Sequence, residues 1–334
     1  MTDFAFPVLV SDIGGTNARF AMLDAADAPL SAPVRLATSG FPDFAAAARA
    51  AVARSGWREP RTLLVGAAGP VRDRAVTLTN ADWVIEGPET AAALGLDQGL
   101  LLNDFETLAL TLPALGEADL FAIGEGRVAR PGGARVVIGP GTGLGVGALA
   151  EVDGRFLPLA SEGGHIGFPA ETEYEQLIWE QLGYAYNPPE AETLIAGPGL
   201  PAFYQAVGRA RTIWPKEMTT AEIVAHALDN SDPIAGEAIW RTLDHIARFC
   251  SDMALTFMAT GGVYLAGGIM PRLRPLLNVE DFRTMFERNE TLSDLLATIP
   301  VWLVTAEEPA LTGLAELARR PGRFMLDYRG RLWR

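Results

Sequence analysis

Apolar residues in this chain of 334 residues come in short runs, each cut off by glycine or by a polar turn. Short, mostly apolar runs of about four to eight residues bounded by turn signals read as strands. Residues 7–12, 19–23, 34–37, 63–67, 75–79 and 99–102 fit that description. Between them, 41–54 is alanine-rich, stops at Ser55-Gly56 and predicts a helix. Residues 88–94 predict another, with proline in its first turn. A third helix starts at Asn103 or Asp104. From residue 134 a second run begins: a strand at 135–139, then GPGTGLGVG. A helix follows at 173–182, where Tyr174, Leu177, Ile178 and Leu182 share one face. The longest helix is expected at 234–259, on the stripe Ile239, Leu243, Ile246, Cys250, Met253 and Phe257. Strands at 263–266 and 301–304 and a short helix at 311–318 close the series. Strands alternating with helices predict an α/β fold. Each half opens with a strand, a glycine turn and a strand, which suggests an internal duplication.

Residues 253–271 carry no charge, but Gly261-Gly262 and Gly267-Gly268 interrupt them. A lipid-spanning helix needs about 20 apolar residues in one continuous helix. The segment therefore reads as a buried helix, turn and strand.

Composition narrows the chemistry. The net charge is −14, and Lys216 is the only lysine beside 26 arginines. No Gly-Lys pair exists, so a Walker-type phosphate loop is excluded. The acidic balance argues against nucleic acid and anionic membrane as partners. Cys250 is the only cysteine, which leaves no intrachain disulfide and no zinc site built on several cysteines. The first residues lack a basic region and a long apolar core, so a cytoplasmic location is expected. Residues 319–334 hold six arginines and one aspartate. They read as a solvated or self-docking tail, with polyanion binding as the sharper alternative.

Five segments carry candidate chemistry. Residues 12–19, DIGGTNAR, join two expected strands by a glycine turn. That turn is either an ordinary hairpin or a phosphate site with backbone N–H donors and Asp12 beside a hydrated cation. GPGTGLGVG at 139–147 is a second such turn. Counting from Gly139, the sixth position is Leu144, and from Gly141 it is Val146, so the dinucleotide fingerprint is absent. In LLNDFE at 101–106, Asn103 and Glu106 have the spacing of a capping box. The alternative to this cap is that Asp104, beyond the C-terminal end of a strand where open α/β sheets bind ligands, is a carboxylate that accepts a hydroxyl proton. SEGGH at 161–165 sets an acid and an imidazole in a glycine turn, suited to reading sugar hydroxyls. His226 and His245 fall on expected helices and read as structural or solvent-facing. Glu192 reads as a helix N-terminal acid.

In this order the segments resemble the bacterial glucokinases, a family of the hexokinase and actin-like ATPase superfamily. The resemblance rests on DIGGTNARF at 12–20, LTNADW at 78–83, LLNDFE at 101–106, IGPGTGLGVG at 138–147 and EGGHIGF at 162–168. It continues in ETLIAGPGL at 192–200, GGVYLAGGI at 261–269 and EEPALTG at 307–313. It implies a two-domain actin-like (ribonuclease H-like) ATPase fold with a cleft between the domains. The small domain would span 1–110 and the large one 111–305. A helix at 306–318 would return to the small domain, and 319–334 would be an arginine-rich C-terminal extension.

The resemblance also implies roles. Ser11, Asp12, Ile13, Gly14, Gly15, Thr16 and Asn17 would form the first nucleotide-binding segment, and Gly141 and Thr142 part of the second. Gly267 and Gly268 would lie against adenosine. Asp104 would be the catalytic base, and Asn80, Asn103, Asp104, Glu162, His165 and Glu192 would bind the sugar. The implied reaction transfers the γ-phosphoryl group of ATP to the 6-hydroxyl of D-glucose, and domain closure would exclude water. Mg²⁺ would arrive with ATP and meet Asp12 through water, without a protein cage. Zinc is not expected, because the cysteine cluster of the zinc-binding ROK relatives is missing. A homodimer is implied. Another hexose or an N-acetylhexosamine as substrate, and a catalytically silent sugar sensor, remain the alternatives.

Overall fold

The computed structural model describes residues 3–78, 82–183 and 188–333. Its first sheet has the strand order Val34–Ala37, Asn17–Leu23, Val8–Ile13, Thr62–Ala67, Gln98–Asn103. The first two junctions are antiparallel and the last two parallel. Val8, Leu9, Val10, Leu63, Leu64 and Val65 are all inaccessible to solvent. Continuous rather than alternating apolar runs are what strands covered on both faces require.

The second sheet repeats that order with Arg155–Ser161, Leu144–Val152, Arg135–Pro140, Val263–Leu265 and Val301–Val304. Leu120–Ala122 is added antiparallel at its far edge. The duplicated opening read from the sequence thus extends to five strands. A small antiparallel sheet of Val71–Arg72, Ala75–Thr77 and Val84–Glu86 completes the β structure.

Helix ends follow from local chemistry. Phe44–Ser55 begins where the Asp43 carboxylate accepts the Ala46 N–H, and it stops at Gly56 in the left-handed conformation (φ +62°). The longest helix, Pro233–Thr256, starts at Asp232, which accepts from Ile234 and Ala235. Ile239, Leu243, Ile246, Cys250 and Met253 on its expected stripe are buried. The uncharged stretch after it becomes a turn and the buried strand Val263–Leu265. Among the described residues, no helix is long and apolar enough to cross a membrane.

The chain divides into two compact units. One comprises Met1–Gly116, Gly147–Ala160 and Ala306–Arg334; the other comprises Glu117–Val146 and Ser161–Thr305. The first unit has its core between its sheet and the helices, from Leu9 and Phe20 through Trp83 to Trp333. There the helix Pro309–Arg319 lies on the helix Asp104–Thr111. Thr111 Oγ1 donates to Pro309 O at 2.6 Å. A Cβ on Gly313 would stand 2.7 Å from Thr107 O, so only glycine allows the two helices to come this close. The second unit packs its helices around Pro233–Thr256.

In that second core His245 is buried among Phe168, Trp179 and Phe203. Its Nε2 lies 3.1 Å from Glu175 Oε1. Arg248 reaches Glu175 and donates to Pro169 O. Burial holds the His245 imidazole below its ordinary value, with Glu175 pulling the other way.

Candidate functional site

In the first unit the Gly-Gly turn is a true hairpin. Asp12 pairs with Arg19 and Ile13 with Ala18 across it, and Gly14 N donates to Asn17 O at 3.0 Å. Thr38 fixes the turn from the side, its N–H on Thr16 O (3.0 Å) and its hydroxyl on Gly15 O (2.7 Å). Thr16 and Asn17 are exposed, with Gly14 and Gly15 half-buried between them. Ser11 and Ile13 are buried, and Ser11 Oγ faces Leu64 O. These two residues therefore shape the turn from below.

Asp12 sits at the base of this turn. Arg19 Nη1 donates to Asp12 Oδ2 at 2.9 Å, while Arg19 Nε pairs with Glu308 Oε2 at 3.0 Å. Arg35 holds the other oxygen of Glu308. Burial pushes the Asp12 carboxyl above the usual range, and Arg19 opposes that shift. Glu308 has φ +49°, a strained backbone for a residue with a side chain. Arg19 and Glu308 lie inside the DIGGTNARF and EEPALTG segments, yet their pairing is not apparent from either.

Asn103 and Asp104 lie where the strand Gln98–Asn103 runs into the helix Asp104–Thr111. Asn103 Oδ1 accepts from Phe105 N (2.9 Å) and Glu106 N (3.2 Å), and its Nδ2 donates to Gly69 O (3.3 Å). Phe105 N also donates to Asp104 Oδ1 at 3.1 Å. Only half of the expected capping box forms. The Glu106 side chain is drawn away by Arg331, whose Nη1 lies 2.7 Å from both of its oxygens. Asn80 lies outside the described residues.

The second unit gathers the other candidates. The strands Arg135–Pro140 and Val263–Leu265 run parallel, so the glycine turns after them lie side by side. Gly267 has φ +99°, and a Cβ there would meet Pro140 O at 2.6 Å. A Cβ on Gly141 would reach 3.8 Å from Gly268 N, and Gly268 has nothing within 4 Å of its own Cβ position. Thr142 is exposed at the tip. Backbone approach to a ligand is open here because side chains are missing where they would intrude.

Glu192 is bonded to the first of these turns from a separate helix. It lies in the first turn of Ala191–Ile195, and its Oε2 accepts the Leu144 N–H at 2.8 Å. A Cβ on Gly143 would stand 2.7 Å from that same oxygen. The turn bearing Glu162 and His165 is pressed onto the same place, since a Cβ on Gly164 would collide with Leu144 O.

His165 Nδ1 lies 2.8 Å from Glu190 Oε2, and its Nε2 lies 3.9 Å from Glu162 Oε2. The hydrogen bond with Glu190 holds the imidazole above its ordinary value, and the charges of Glu192, Glu190 and Glu162 add to this. Glu190 was not legible in the sequence. Its place beside His165 comes from backbone pairing, with Ala191 N on Ile166 O and Phe168 N on Pro189 O.

Among the described residues no group of three or more His, Cys, Asp or Glu side chains could hold a metal ion. Asp12 alone, beside phosphate oxygens and water, still suits Mg²⁺, which is usually held by one or two carboxylates and keeps several waters.

A family model described as Glucokinase matches residues 9–321. The chain is 40% identical to a glucokinase of Sinorhizobium fredii over 99% of this chain and 97% of that one. It is 39% identical to a glucokinase of Rhizobium meliloti over the same shares. The crystal structure of a glucokinase from an Antarctic psychrotroph superposes with TM-score 0.84 at 29% identity, covering 95% of this chain and 100% of that one. A glucose complex of Balamuthia mandrillaris glucokinase shares the fold at TM-score 0.77 and 20% identity, with 93% of each chain covered. A ROK family glucokinase from Streptomyces griseus, solved with glucose and AMPPNP, shares it at TM-score 0.63 and 22% identity, covering 94% of this chain and 99% of that one.

Proposed function

The chain belongs to the glucokinase family, and from that premise we propose that it transfers the γ-phosphoryl group of ATP to the 6-hydroxyl of D-glucose. One observation carries the reading. Two glycine-rich turns, Gly141–Gly143 and Gly267–Gly268, adjoin a turn that offers Glu162 and His165. Glu192 bonds to Leu144 directly after the first of them, and the turn bearing Glu162 and His165 presses on the same Leu144. Backbone amides suit phosphate oxygens, and paired carboxylates with an imidazole suit sugar hydroxyls.

In this mechanism Asp104 accepts the proton of the 6-hydroxyl as that oxygen attacks in line. Asn103, locked by its three hydrogen bonds, holds the start of the helix and so the bearing of Asp104. His165 and Glu192 orient the sugar, with Glu190 steadying the imidazole. Gly15 and Thr16 offer N–H donors to the phosphates, the Gly14 N–H being taken up by Asn17 O, and Gly267 and Gly268 leave a flat wall for adenosine. Asp12 would hold Mg²⁺, which would supply charge neutralisation on the phosphates when bound. Phosphoryl transfer depends mainly on such positioning, so the lack of a phosphate-loop lysine is no obstacle.

The test is a coupled assay over glucose, mannose, fructose, N-acetylglucosamine and N-acetylmannosamine, each with ATP and with polyphosphate. The highest kcat/KM is expected for glucose with ATP. A preference for an N-acetylated sugar or for polyphosphate would replace this reading.

A further inference from the structure

The arginine-rich residues 319–334 lie almost wholly beyond the stretch matched by the family model, and the mechanism above makes no use of them. Their contacts within the first unit are specific. Phe324 is buried against Phe156, and Met325 N donates to Phe156 O at 2.7 Å. Trp333 is 1% exposed and forms a two-way backbone bridge with Gly99, N to O at 3.1 Å in each direction. The indole fills the places where side chains on Gly87 and Gly99 would stand. Two glycines early in the chain are thus matched to one tryptophan close to its other end. Gly99 belongs to the strand whose last residue is Asn103.

Arg331, two residues before that tryptophan, meets Glu106 with 2.7 Å contacts to both carboxylate oxygens. The Glu106 side chain is only 4% exposed, and it stands two residues after Asp104 in the same helical turn. A buried carboxylate needs a partner charge, so removing Arg331 would leave the first turn of this helix uncompensated. The hairpin of residues 147–160 closes the other side, since a Cβ on Gly147 would meet Phe105 O.

We propose that residues 319–334 form an intramolecular brace, in which Arg331, acting through Glu106, and Trp333, acting through Gly99, set the position of Asp104 for proton transfer. Arg331 is a positioning residue. The brace rests on the reading of Asp104 as the base. It differs from a polyanion-binding tail, which would need its arginines free for a ligand.

Kinetics of the full chain test it, with kcat referred to folded protein measured by circular dichroism. Arg331→Gln is expected to lower kcat about 10- to 100-fold, the scale of a small misplacement of a catalytic group. The KM values for glucose and ATP should change little. Arg331→Lys should recover much of the loss. Glu106→Gln combined with Arg331→Gln should do better than Arg331→Gln alone, because no buried charge remains unpaired. If Arg331→Gln does not fold, Glu106→Gln alone carries the same test. The exposed Arg320→Gln should leave kcat unchanged.

An unaltered kcat in folded Arg331→Gln would overturn the brace. So would an equal loss in Arg320→Gln, which would make the effect one of segment charge. Asp104→Asn, measured alongside, separates the two claims. Near-normal turnover there removes the base assignment. Lost turnover there with an unaffected Arg331→Gln removes only the brace.

Discussion

Glu192 is the position where the glycine turn and the proposed sugar site meet, so its replacement should affect both. In Glu192→Ala the Leu144 N–H, now 2.8 Å from Oε2, loses its acceptor, and Leu144 itself is 4% exposed. Leaving a buried donor unpaired costs about 1–3 kcal/mol, and a bond to a charged group contributes a similar amount. Glu192 is half-buried, so water can replace part of what is lost. A net cost of about 2 kcal/mol is expected, or about 30-fold in an equilibrium constant. Glu192→Gln keeps an oxygen for Leu144 and loses only the charge, so the turn should keep its shape. Steady-state kinetics should show Glu192→Ala raising KM for both glucose and ATP. Glu192→Gln should raise KM for glucose while leaving that for ATP near the parent value. The thermal unfolding midpoint should fall by about 3 °C for the alanine variant and by less for the glutamine one. An unchanged KM for ATP in Glu192→Ala would refute the reasoning, because the bond to the glycine turn would then have no bearing on the nucleotide.

Other consequences follow from the same geometry. Only three histidines are present, so their imidazole NMR signals can be assigned and titrated. His165 should titrate above the ordinary value of about 6.5 and His245 below it, and Glu190→Gln should return His165 toward that value. An unmoved His165 in that variant would remove Glu190 as the cause. The folded pKa of His245 is depressed, so its contribution to stability is present above the unfolded value and lost as pH falls below about 6.5. Urea unfolding at about pH 7.5 and about pH 5.5 should show that loss, reduced in His245→Gln; an identical pH dependence in the variant would contradict it. Trp333→Ala should cost about 3–5 kcal/mol in urea unfolding, as for other buried aromatics, and a cost near zero would mean the indole is not anchored in the first unit.

The regular elements were readable because their signals are local. The strand Val8–Ile13 is a continuous apolar run, and Phe44–Ser55 carries its own cap and stop signal. The helices Leu200–Ala210 and Val279–Glu287 were not read. Gly208 and Pro201 weaken the first, and the second buries Arg283 beside Phe282 and Phe286, which blurs its apolar face. The motif residues at 12–17, 103–104, 141–142, 162–165 and 267–268 could be named from the chain, because glycine and acid patterns persist in sequence. Glu190, Glu308 and the pair Arg331–Glu106 could not be assigned roles. Their partners lie far away along the chain, 225 residues in the last case, and such pairing leaves no local trace.

Asp104 is the proposed base, and its replacement bears on the proposed reaction most directly. With ATP as donor, Asp104→Asn should bind glucose about as tightly as the parent, measured by calorimetry. Its kcat should fall by about 10²–10⁴-fold, the usual contribution of a positioned general base. Turnover near the parent value in a folded, glucose-binding Asp104→Asn protein would contradict the account.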